Sequence, residues 1–73
     1  MIIVKQRLKK IMRKNGITQR ELSSMSGIPE HCISRYVSGE RVPHVKNLVK
    51  LAKAANTTTD YLVGLEEDLA EEA

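Results

Sequence analysis

Apolar and polar positions follow a helical period along most of the chain. Val4, Leu8, Ile11 and Met12 recur at i, i+4, i+7 and i+8, which is one helical face. Lys5, Arg7, Lys9 and Lys10 lie between them and Arg13 and Lys14 directly follow, so a first helix is predicted to be amphipathic and basic outside. Gly16 stops it as the residue just past the helix end. Thr18-Gln19-Arg20-Glu21 then has the pattern of a capping box, in which Thr18 takes the Glu21 amide and Glu21 reaches back to the Thr18 amide. Ile17 and Leu22 flank it as a hydrophobic staple. The second helix is predicted to run for about eight residues, too short to stand without packing. It is expected to bury Leu22 and Met25 and to end at Ser26-Gly27.

A third helix is predicted to begin at Pro29, where a missing amide costs nothing. Ile33, Tyr36 and Val37 form its inner face; Glu30, His31, Ser34, Arg35 and Ser38 form its outer face. Gly39 ends it, and Arg41-Val42-Pro43-His44 follows as a loop. Val45, Leu48, Val49 and Ala52, flanked by Leu51 and Ala55, mark a fourth helix that stops at Asn56. Thr58 caps a short fifth helix, with Asp60 in its first turn, Leu62 inward and Gly64 at its end. Leu65 to Ala73 has the pattern of one or two acidic turns. The reading is all-α throughout, with one domain over 1–65 and an acidic tail over 66–73.

Composition narrows what such helices can do. A 73-residue chain buries only about 60% of its unfolded surface, so the core must be efficient. With no Phe or Trp and only Tyr36 and Tyr61, that core is aliphatic. A large enzyme cleft, a barrel of closely spaced strands and an aromatic platform for single-stranded nucleic acid are all excluded. Cys32 is alone, so the chain has no internal disulfide, which favours a reducing cytoplasm. Only three apolar residues separate Met1 from Lys5, so neither a signal peptide nor a membrane span is expected there.

Charge is unevenly placed. Residues 1–53 hold all 12 Lys and Arg against Glu21, Glu30 and Glu40, a net of +9. Residues 54–73 hold Asp60, Glu66, Glu67, Asp68, Glu71 and Glu72 and no base, a net of −6. A basic body suits a polyanionic partner, and an acidic tail would face away from it or screen the body from wrong ones. The plainer reading is a solvated surface.

Gln19 to Ser38 meets the physical criteria of a helix-turn-helix: two short helices, with Gly27 at a tight turn that needs positive φ. Ser23 is small where the second helix approaches the third. The outer face of the third helix presents a carboxylate, an imidazole, two hydroxyls and a guanidinium, and no large apolar residue. Such a face suits base edges in a major groove, where all four base pairs are distinguishable. An ordinary helix pair with a solvated polar face is the alternative.

Asn15-Gly16-Ile17-Thr18-Gln19-Arg20-Glu21-Leu22, Ser26-Gly27-Ile28-Pro29, Ile33-Ser34-Arg35-Tyr36, Ser38-Gly39-Glu40-Arg41-Val42-Pro43 and Asp60-Tyr61-Leu62-Val63-Gly64 occur in that order. Together they closely resemble the phage-repressor (lambda-repressor-like, Xre/Cro-type) helix-turn-helix family, over about residues 5–65. The resemblance implies a compact bundle of five helices that binds operator DNA as a homodimer, with the third helix as recognition helix. It implies that Glu30, His31, Ser34 and Arg35 take base-reading or groove-facing positions. Thr18, Gln19, Arg20, Ser38 and Arg41 would meet the DNA backbone, Gln19 also bracing the recognition helix. Val42, Pro43, His44, Val63 and Leu65 would lie where family dimers meet. Arg7 and Lys10 are weaker backbone expectations.

Two departures stand out. The family often pairs Arg and Glu at the positions of Met12 and Val37; here both are apolar, and the paired loss avoids stranding a buried charge. Glu30 can accept from cytosine N4 or simply favour the positive helix N-terminus, and the second reading is preferred.

The remaining reactive side chains make no catalytic set. Cys32 reads as a small semi-buried hydrophobe, and His31 and His44 lack metal-ligand spacing with it. Neither an enzyme, a cofactor nor a metal is expected. The leading reading is a sequence-specific DNA-binding regulator, most naturally a repressor, with double-stranded operator DNA as partner. The second is an antitoxin or protein-interaction module that neutralises a toxin or answers to an antagonist protein.

Overall fold

A computed structural model of the protein describes residues 3–65. The predicted acidic turns after Leu65 lie outside the described residues. Within them the chain forms five helices: α1 (Ile3–Asn15), α2 (Gln19–Ser26), α3 (Glu30–Ser38), α4 (Val45–Ala54) and α5 (Thr59–Val63). The local signals place the boundaries. The Thr18 hydroxyl accepts from the Glu21 amide at 3.0 Å and a Glu21 carboxylate oxygen accepts from the Thr18 amide at 2.9 Å, completing the capping box. Thr58 caps α5 in the same manner by accepting from the Tyr61 amide. At its other end, α1 closes when the Ile17 amide donates to the Met12 carbonyl at 2.8 Å.

Pro29 is the residue before α3 rather than its first helical residue. Its carbonyl accepts from the Cys32 and Ile33 amides, so it serves as the cap while contributing no donor of its own.

The core is aliphatic apart from one tyrosine. Leu8, Leu22, Ile33, Leu51 and Leu62 are fully buried, with Val4, Ile11, Ile28, Tyr36, Ala52 and Ala55 nearly so. No polar or charged residue among those described is buried. Met12, Ile17, Cys32 and Val37 pack partly buried against this core. α3 lies between α1 and α2, α5 packs on α1 and α4, and α4 also packs on α2.

Two expectations for the core are corrected. Met25 is 54% exposed. It stands at the rim of a cleft of about 470 Å³ between the end of α1 and the turn after α4, lined also by Lys14, Ile17, Ala55 and Asn56. In α4, Val45 is 74% exposed and Val49 is exposed as well, while Leu51, Ala52 and Ala55 are buried. The inward stripe of α4 therefore runs through Leu51 and Ala52 to Ala55 just past its end, and α2 and α5 are the helices that pack on α4.

Candidate nucleic-acid interface

The turn between α2 and α3 sets the angle of α3, and small polar side chains hold it. Gly27 adopts φ 77°, the left-handed region that favours glycine, and its amide donates to the Ser23 carbonyl at 2.9 Å. The Ser23 hydroxyl donates to the Ile28 carbonyl, and the Ser26 hydroxyl accepts from the Ile28 amide. Ile28 itself is buried, so the turn is fixed at once by polar bonds and by an apolar anchor. Ser23, predicted only to be small, is thus also a staple of the turn.

The inner face of α3 then docks through Ile33 and Tyr36. The Tyr36 hydroxyl accepts from Asn47 Nδ2 at 2.9 Å, tying α3 to α4. Nothing local in the sequence signalled this contact, which joins residues eleven apart through a side-chain amide.

With its inner face held, α3 turns Glu30, His31, Ser34 and Arg35 outward, and all four are exposed. Spacings of three and four residues put them on one side of the helix, about one turn apart. Glu30 occupies the first turn of α3, beside the positive helix end. α2 packs on α3, and its start is at the end of α2 away from the tight turn. There Thr18 and Arg20 are exposed and Gln19 is half-buried. The amides of Gln19 and Arg20 stand at the open end of α2, where a helix lacks intrahelical acceptors.

The loop after α3 is built on one carbonyl. The Ser38 hydroxyl donates to the Arg35 carbonyl at 3.1 Å and the Arg41 amide donates to the same carbonyl at 3.2 Å. The Glu40 amide donates in turn to the Ser38 hydroxyl. The Arg41 side chain is exposed on this loop. Ser38 spends its only proton within the chain, so it positions the loop before it can serve a phosphate.

Other expected positions divide. Val42, His44 and Leu65 are exposed and Val63 is half-buried, but Pro43 is buried in its own chain. Arg7 is spent internally: its guanidinium lies 4.6 Å from the Tyr61 ring centre, and Nη1 donates to the Tyr61 carbonyl at 2.9 Å. Lys10 also has an interaction within the chain. Cys32 is half-buried. Among the described residues no three of His, Cys, Asp and Glu gather as a metal site, and no helix is long and apolar enough to cross a membrane.

A helix-turn-helix family model matches residues 8–62, from within α1 to α5. The chain is 37% identical over 62 residues to the HTH-type transcriptional regulator ImmR of Bacillus subtilis (strain 168), covering 85% of this chain and 49% of that protein. It is 34% identical over 61 residues to the cryptic phage CTXphi transcriptional repressor RstR of Vibrio cholerae, covering 84% of this chain and 54% of that one. The chain thus spans about half the length of these curated relatives. No solved structure gives a significant match.

Proposed function

The chain belongs to the Xre/Cro-like helix-turn-helix family, and we propose that it is a sequence-specific repressor that binds double-stranded DNA with α3 in the major groove. One observation carries this reading. The outer face of α3 holds four exposed polar side chains of different chemistry on a helix whose other face is locked into the core. A face fixed in this way can present donors and acceptors to base edges in a constant register. The names of the relatives, a transcriptional regulator and a phage repressor, point the same way.

In this reading binding divides into anchoring and reading. The amides at the start of α2, with Thr18, Gln19 and Arg20, hold one phosphate stretch. Arg41 holds another beyond the end of α3, and Ser38 keeps its loop in place. Arg35 is long enough to span guanine O6 and N7 with two hydrogen bonds, and His31 and Ser34 lie beside it. Glu30 complements the helix end. The protein acts as a homodimer on two half-sites about one helical turn, ~34 Å, apart. The dimer meets through Val42, His44, Val63 and Leu65, to which the buried Pro43 lends only rigidity. A reducing cytoplasm suits a chain with one half-buried cysteine.

Selection from a random duplex pool, followed by footprinting across a salt series, tests the proposal. The expected result is an enriched two-fold symmetric site with steeply salt-dependent affinity. Absence of any enriched sequence at low salt would overturn it.

A further inference from the structure

Lys5 lies in the first turn of α1 between the inward residues Val4 and Leu8, and it is half-buried although it carries a charge. The reason is its neighbour. Gly39, just past the end of α3, has φ 85°, and a Cβ built there would lie 2.9 Å from Lys5 Cδ and 3.7 Å from both Cε and Nζ. The lysine stem therefore occupies the space that a side chain at position 39 would fill. An ordered lysine stem is costly in rotamer entropy, and a stem laid on backbone recovers contact only along its methylenes.

The ammonium group is thus delivered to a particular place without being consumed there. Among the described residues it makes no ion pair or hydrogen bond. This sets it apart from Arg7, two residues on, whose guanidinium is bound to Tyr61. Its position is at the negative end of α3, against the loop that Arg35 and Ser38 hold in shape and that carries Arg41. A cation held by its stem, with its charge unspent and an exposed arginine on the same loop, is suited to an oxyanion outside the chain.

We infer that Lys5 is a further phosphate-binding group of the DNA interface, held beside the Arg41 loop by the packing of its stem on Gly39. The inference rests on the proposed DNA-binding function and extends the anchoring surface from the loop after α3 onto α1. The ligand is a backbone phosphate, recognised as a point charge and without regard to base sequence.

The test uses the full chain with the enriched duplex and a scrambled duplex, titrated from low to moderate salt. Lys5→Met keeps the stem and removes the charge. It is expected to weaken binding several-fold on both duplexes alike and to lower the log–log salt slope by about one per protomer. Lys5→Arg is expected to keep the slope. Lys5→Gln gives a second neutral variant should the methionine disturb folding, and thermal melts of each variant establish that it is folded. If either folded neutral variant keeps the wild-type slope, the lysine only packs and the inference is overturned. That failure is distinct from failure of the function itself, in which the wild type would show no salt-dependent binding at all.

Discussion

α1 and α3 pack against each other, and both carry their polar groups outward, yet they dispose of charge in different ways. On α1 the guanidinium of Arg7 is bound within the chain, stacked on Tyr61 and donating to its carbonyl, so it fastens α1 to α5. On α3 the side chains of Glu30, His31, Ser34 and Arg35 are exposed, and the contact that Arg35 makes within the chain runs through its backbone carbonyl. The number of basic residues on a helix therefore does not measure its capacity for a polyanion. What counts is whether each head group is already spent: that of Arg7 is, whereas the Arg35 guanidinium is exposed and makes no bond among the described residues.

The strongest way to break this contrast is to remove the internal cation. Arg7→Ala deletes a charge-assisted hydrogen bond and a cation–π contact, together about 2–3 kcal/mol of stability. For a domain of this size the melting midpoint should fall by ~10–20 °C. Arg7→Lys should recover only part, since an ammonium lacks the planar fork. The salt slope of DNA binding, measured below the melting transition, should not change. A normal melt combined with a reduced slope would show that Arg7 serves DNA after all.

The converse holds for Arg35. Arg35→Ala should cost about 1–3 kcal/mol on the preferred site and relax the preference at one position per half-site. The melting midpoint should barely move, because an exposed side chain with no internal bond contributes within about 0.5 kcal/mol. If affinity falls equally on every sequence, Arg35 only touches a phosphate, and the assignment of the reading face is lost.

The seam between the two helices gives a smaller effect. Met12 and Val37 are both partly buried against the core, so truncating either to Ala should cost about 1–2 kcal/mol, below the range for fully buried sites. Met12→Arg alone should strand a charge at the seam. Combined with Val37→Glu it should recover stability, and the coupling can be read from a double-mutant cycle. Strictly additive effects would mean that the two positions do not replace an ion pair.

These contrasts also mark how far the sequence could be read. Helix ends were legible because their signals are local. The Thr18 capping box, Gly27 and Gly39 each act within four residues, and each stands where the pattern placed it. The outward face of α3 was legible for a related reason, since its polar and apolar positions separate cleanly at helical spacing. α4 was not. Its apolar residues at 45, 48, 49, 51, 52, 54 and 55 cover most of the helix circumference, so periodicity admits more than one inward stripe. Only the positions of α2 and α5 select Leu51 over Val45. Arg7 on Tyr61, Lys5 on Gly39 and Asn47 on Tyr36 were illegible for the same reason: each joins different elements, and no spacing along the chain encodes them.

The finest test of the comparison is Arg41, which belongs neither to α1 nor to α3 but hangs on the Arg35 carbonyl through its own amide. Its backbone is thus registered to α3 while its side chain is exposed. A charge so placed should find phosphate oxygens and not base edges, because the loop lies beyond the end of the helix. Arg41→Ala retains the amide and hence the loop, so the melting midpoint should hold. Binding should weaken by less than about 1 kcal/mol at moderate salt and by the same factor on preferred and scrambled duplexes. The slope of log affinity against log salt should fall by about one per protomer. Arg41→Lys should restore the slope, since a phosphate accepts a point charge. Loss of discrimination in Arg41→Ala, with the slope unchanged, would place Arg41 in the groove and erase the division between anchoring and reading.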